Sequence, residues 1–170
     1  MKRLAQLKSL IDLFLYLSIV GIFFLIIIIP ASLYNPEWTI DVKINGEQID
    51  YSETSARIAV IMGALGAAVF TYGIWQLRKA LNLFSKRAIF HPDVSRYFHK
   101  TGQCIIASTF ITAAALLPYK IVHGYKSQIS LHSGIVDTFV LPICLGLLFI
   151  VISEVFKMAG KMKEENDLTV

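Results

Sequence analysis

Charge is scarce in this chain. Asp, Glu, Lys and Arg make up 16% of its 170 residues against 55% apolar side chains, too few to coat so much apolar area with a water-soluble surface. Groups that could carry chemistry are scarce too. The chain has no G-x-S-x-G, no H-E-x-x-H and no phosphate-cradling glycine loop. Its histidines fall into two pairs, His91 with His99 and His123 with His132, on opposite sides of the membrane in the reading below. Neither pair has a Cys or Glu to complete a ligand set. No catalytic residue, metal or cofactor is therefore expected, and the chain reads as a non-enzyme. Cysteine is limited to Cys104 and Cys144. At ~1.5 Å of rise per residue the two differ in membrane depth by roughly 15 Å, which excludes a disulfide within one chain and leaves both as small apolar residues. A net charge of +4 raises nucleic acid as a partner, but no basic face comes with base-stacking aromatics, so direct nucleic-acid contact is not expected.

Long apolar runs are what the chain does have. They cover residues 10–33, 58–77, 101–118 and 138–158, each close to the ~20 residues that cross a hydrocarbon core. Lipid cannot hydrogen-bond a backbone, so all four are expected as α-helices. Lys and Arg alternate between the intervening segments. Twelve of the sixteen fall in the N-terminal stretch, in 78–100 and from Lys157 onward, and four fall in 34–57 and 119–137. The positive-inside bias then puts both termini in the cytoplasm, with basic residues facing anionic headgroups. The expected fold class is an all-α integral membrane protein. It has four transmembrane helices in a single domain, external loops 34–57 and 119–137, a cytoplasmic loop 78–100 and a cytoplasmic tail 159–170. The first 32 residues look like a secretory signal, but their apolar stretch exceeds the ~7 to 15 residues of a signal and no A-x-A-like site follows, so a retained first helix is expected.

Strand chemistry occurs once, in the first external loop, where a short extracytoplasmic β-hairpin is expected. Residues 38–44 alternate apolar and polar and lead into Asn45-Gly46, the strongest short hairpin signal. A two-residue turn there sets Ile44 opposite Glu47, Val42 opposite Ile49 and Ile40 opposite Tyr51. A lone hairpin is marginal in water, so the face of Ile40, Val42, Ile49 and Tyr51 must rest on the third loop, on lipid headgroups or on a second subunit. Asp41 and Asp50 form a solvated acidic cap, since a hard cation wants about six oxygens. In the cytoplasmic loop, Leu77, Leu81 and Phe84 continue the apolar stripe of the second helix beside Arg78, Lys79, Lys86 and Arg87. His91-Pro92 breaks that stripe, and Pro92 or Asp93 starts a short helix with Val94, Tyr97 and Phe98 toward the bilayer.

Small residues Ala59, Gly63, Gly66, Ala67 and Gly73 on the second helix, with Ala107, Ser108, Thr112 and Ala115 on the third, predict close packing between these neighbours. Ionisable residues near a span are Asp12, Asp137 and Glu154, none at mid-bilayer. Lys8 with Asp12 and Glu154 with Lys157 have the spacing of ion pairs that fix helix ends. The competing reading makes Asp12 or Glu154 the coupling carboxylate of a small oligomeric transporter or exporter.

The run Leu145-Gly146-Leu147-Leu148 continues through Ser153-Glu154-Val155-Phe156 to Gly160 and then to Glu164-Glu165-Asn166-Asp167-Leu168-Thr169-Val170. It resembles a bacterial membrane family catalogued as domain of unknown function 2975. Members of that family look like four-helix proteins with an E-x-F helix and an acidic E-x-x-L-T-[IV] tail. Glu154, Phe156, Glu164, Glu165, Leu168 and Thr169 fall on those positions. Phe90, Val94, Arg96 and Gly102 fit a second pattern of the family, in which Asp93 replaces the usual Asn and Phe98-His99 a Leu-Arg pair. The resemblance implies a multi-pass protein of the bacterial inner membrane. Because members are often encoded beside a small helix-turn-helix regulator, it also implies a sensor or anchor that holds such a regulator. The partner-binding candidates are Arg78, Lys79, Lys86, Arg87, Phe90, Arg96, Glu164, Glu165, Leu168 and Thr169, alongside the lipid bilayer itself and a homo-oligomeric contact. Residues 161–170 are too polar for lipid, and either dock on a partner's edge or groove or end as a solvated terminus.

Overall fold

The computed structural model describes residues 2–34, 42–44, 47–49, 54–86, 88–122 and 139–168, with side chains at 3–27, 30, 58–86, 88–115 and 139–168. Its helices are α1 (Lys2–Tyr34), α2 (Thr54–Ser85), α3 (Pro92–Val122) and α4 (Leu141–Leu168). They pack in chain order, α1 on α2, α2 on α3 and α3 on α4. Each neighbour runs antiparallel to the last, because Asp12 meets Arg78, Gly66 faces Thr112, Gly73 faces Cys104 and Gly102 faces Gly146. The start of α1, the α2–α3 connection and the end of α4 therefore gather at one end of the bundle.

Three helices, rather than the expected four, are long and apolar enough among the described residues to cross a membrane: Arg3–Ile27, Ile58–Ser85 and Leu141–Leu168. Residues 116–118 of the expected span at 101–118 lie outside the residues whose side chains are described. Its helix, α3, packs between α2 and α4, as α2 packs between α1 and α3. Thr101, Gly102, Ser108, Thr109, Ala113 and Ala115 are buried there. The buried hydroxyls of α3 are satisfied by nearby carbonyls. Ser108 and Thr109 donate to the Ile105 carbonyl at 2.8 and 2.9 Å and Thr112 to that of Ser108 at 2.9 Å, the usual outlet for such groups away from water. By contrast α1 lies outermost, and none of its span is buried within the chain.

The expected hairpin is corrected as well, since the packed architecture is helical throughout. Among the described residues two three-residue segments, β1 (Val42–Ile44) and β2 (Glu47–Ile49), pair Val42 with Ile49, Lys43 with Gln48 and Ile44 with Glu47. So short a ladder is no layer of the fold, because a two-stranded ribbon needs further strands or a packed face for stability. Ile40, Tyr51, Asp41, Asp50 and the Asn45-Gly46 turn lie outside the described residues, as do His123, His132 and Asp137.

The helices also outrun their apolar stretches. α2 continues to Ser85 because Leu77, Ala80, Leu83 and Phe84 still find partners in Val94, Tyr97 and Phe98 of α3. α3 starts at Pro92, where the missing N–H costs nothing. There the Nδ1 of His91 accepts the Asp93 N–H at 3.2 Å, and Asp93 sits in the positive first turn. Residues 78–100 are consequently two helix ends joined by 86–91, rather than a loop with a separate short helix. α4 runs unbroken to Leu168, so the described part of the tail is helical.

Candidate functional site

A close approach of α3 and α4 borders an open groove on the bundle surface. A Cβ on Gly102 would collide with the Gly146 carbonyl and come within 2.7 Å of Ile150 Cγ1, so two glycine faces bring the α3 and α4 backbones together. Toward the polar end, past this crossing, one side of the helix pair is filled by rings. Phe98 stacks on Phe149 and Phe156 at centroid distances of 5.9 and 5.4 Å, and Phe84 joins Phe98 at 5.9 Å and Phe156 at 5.4 Å. The other side stays open as a groove of about 580 Å³ between the start of α3 and the end of α4.

Four of the sequence candidates line this groove, namely Phe90, Arg96, Glu154 and Glu164. Sequence reasoning did not gather His99, Lys100, Lys157, Lys161 and the buried Ser153, which line it with them. Arg96 and Lys100 lie one turn apart on α3, and Lys157 and Lys161 one turn apart on α4, a repeat visible in the sequence but meaningless until the two helices face each other. The expected pair of Glu154 with Lys157 is not formed, and among the described residues none of Arg96, Lys100, Glu154, Lys157 or Lys161 makes an ion pair.

Other candidates sit elsewhere. Arg78 is tied by its guanidinium to Asp12 of α1, which corrects the expected Lys8 partner and joins residues on two helices. The Lys79 ammonium lies 3.4 Å from the Trp75 ring centroid and 5.7 Å from that of Tyr97, so it covers aromatic surface. Lys86, Glu165 and Leu168 are exposed, Leu168 at 86%. Arg87 and Thr169 lie outside the described residues. The Lys163 ammonium stands 5.6 Å from the Phe90 ring, and Gly160 packs beside the Phe90 carbonyl, so the end of α4 leans on the α2–α3 connection.

Of the small residues expected to pack α2 on α3, Gly66 and Gly73 do so, against Thr112 and Cys104, while Gly63 has no atom within 4 Å of a built Cβ. At the same interface the Thr101 hydroxyl lies 2.9 Å from the Tyr97 carbonyl and 3.2 Å from that of Gly73, and bridges the helices. Gln76 is only 2% exposed, and its Oε1 accepts no hydrogen bond among the described residues. An unmet buried acceptor costs ~1 to 3 kcal/mol. Gln76→Met, of similar length, is therefore expected to raise the thermal midpoint in detergent by several degrees. A lowered midpoint would show that the amide is satisfied.

The cysteines are free, and among the described residues no three of His, Cys, Asp and Glu come together as a metal-binding set. Antiparallel helices, three of them long and apolar enough to cross a bilayer, with polar extensions at one end, define a helical membrane protein. The chain belongs to the family described as protein of unknown function (DUF2975), which matches residues 4–170. No curated protein and no solved structure matches it.

Proposed function

We propose that this is a non-enzymatic anchor or sensor of the bacterial inner membrane that holds a small helix-turn-helix regulator at the polar end of its bundle. The observation that carries the proposal is the extension of α4. Residues 161–168 continue the helix past the apolar run with every residue exposed, and Met162 and Leu168 stand among Lys161, Lys163, Glu164, Glu165 and Asp167. A projecting helix with exposed apolar anchors and charges of both signs is a common way to meet a partner's groove. Phe90, Arg96 and Glu164 border the same surface. The excess of Lys and Arg in the segments at this end supports placing it in the cytoplasm. The transport reading has less support. Asp12 is spoken for by Arg78, and Glu154 is exposed on an open groove rather than enclosed at mid-membrane as a coupling carboxylate would be.

The test is co-purification from native membranes. The regulator is expected to accompany the full chain and to fall at least tenfold when residues 161–170 are removed. Equal recovery with the truncated chain would remove the α4 extension from the binding face.

A further inference from the structure

We propose that the groove between α3 and α4 binds the phosphate of an anionic glycerophospholipid. This goes beyond the regulator reading and does not rest on it.

The walls of the groove carry two pairs of cations, Arg96 and Lys100 on α3 and, nearer the polar end, Lys157 and Lys161 on α4, with His99 beside them. None of the four is neutralised by a described residue. Two carboxylates also line the groove. Glu154 comes one turn before Lys157 and stands level with Arg96 of α3, and Glu164 comes one turn after Lys161, so four cations outnumber two carboxylates along the groove. The buried Ser153 and the exposed Gln103 add hydrogen-bonding groups.

Depth matches a headgroup. Lys100 immediately precedes the apolar part of α3, and Lys157 falls where the apolar part of α4 gives out. Long basic side chains at such a boundary reach for phosphate while their stems stay in apolar surroundings. Basic pockets between helices recognise anionic headgroups in this way. What separates a lipid from a free phosphate is the surface beyond the cations. The same helix faces continue toward the apolar end as exposed Ala107 and Phe110 on α3 and exposed Leu147 on α4, a path for acyl chains that a soluble anion would not use. The Gly102–Gly146 crossing holds the two walls together at the inner end.

The test is native mass spectrometry of the full chain in detergent, incubated with equimolar phosphatidylglycerol and phosphatidylcholine. Phosphatidylglycerol is expected to be retained preferentially. Lys100→Gln combined with Lys157→Gln lowers the phosphatidylglycerol-to-phosphatidylcholine ratio about tenfold, whereas Lys8→Gln with Lys86→Gln, which removes equal charge outside the groove, leaves it within about twofold. If the groove double variant does not fold, Lys161→Gln alone, at an exposed position, is read instead with about a threefold loss. The proposal is overturned if the two lipids are retained equally, or if both double variants lose the preference alike. It is overturned as well if millimolar inorganic phosphate displaces the bound lipid, which would make the ligand a soluble phosphate.

Discussion

Gly102→Ala drives α3 and α4 apart and lowers the unfolding free energy of the protein in detergent by ~1 to 3 kcal/mol or more. The added methyl meets the carbonyl oxygen of Gly146, a backbone atom that cannot rotate away, and Ile150 Cγ1 at 2.7 Å. Relief requires a shift of a whole helix. Gly146→Ala is expected to cost less, because its nearest obstacle is the Ile106 side chain, with Cγ1 at 2.6 Å. Gly63→Ala supplies the opposite sign. Nothing lies within 4 Å of its built Cβ, so only the helix preference for alanine over glycine remains, worth up to ~1 kcal/mol. Thermal scans of the three variants in one detergent test the ordering. A Gly102→Ala protein as stable as the parent would mean that the two helices do not cross there.

Phe98→Ala is expected to cost ~3 to 5 kcal/mol, the range for emptying a large buried aromatic site. Phe98 is 6% exposed, and its ring contacts those of Phe84, Phe149 and Phe156, which joins α2, α3 and α4 through one side chain. Much of that cost persists even where lipid replaces water, since the three neighbouring rings lose close-packed partners. Phe98→Leu refills most of the volume and should cost below ~1.5 kcal/mol. The two variants also separate stability from function. Phe156 belongs both to this cluster and to the groove, so loosening the cluster is expected to weaken regulator retention in Phe98→Ala and to spare it in Phe98→Leu.

The apolar runs were legible because lipid imposes a length and a composition on any helix that crosses it, and both can be counted along the chain. Asp12 shows where counting stops. Local spacing offered Lys8, four residues away, yet the carboxylate meets Arg78, 66 residues on, because α1 lies antiparallel on α2 and brings its first turns to the last turns of that helix. Lys79 follows the same pattern. It reads as a free headgroup-facing cation, and packing brings Tyr97 of α3 within 5.7 Å of it, beside its helical neighbour Trp75. Gln76 was a lone amide in an apolar run, and only the packed bundle decides that its oxygen is enclosed.

The candidate site divides along the same line. Phe90, Arg96, Glu154 and Glu164 stood out in the sequence through family patterns and charge. Lys100, Lys157 and Lys161 were visible only as basic residues at helix ends, and they became opposing walls through the Gly102–Gly146 crossing.

By itself the sequence determined the family, the helical character and the concentration of polar groups at the ends of the apolar runs, since each follows from local composition against a hydrocarbon solvent. The tertiary structure alone decided which helices pack on one another, which charges are paired and where a groove opens, because each depends on which faces of distant segments meet.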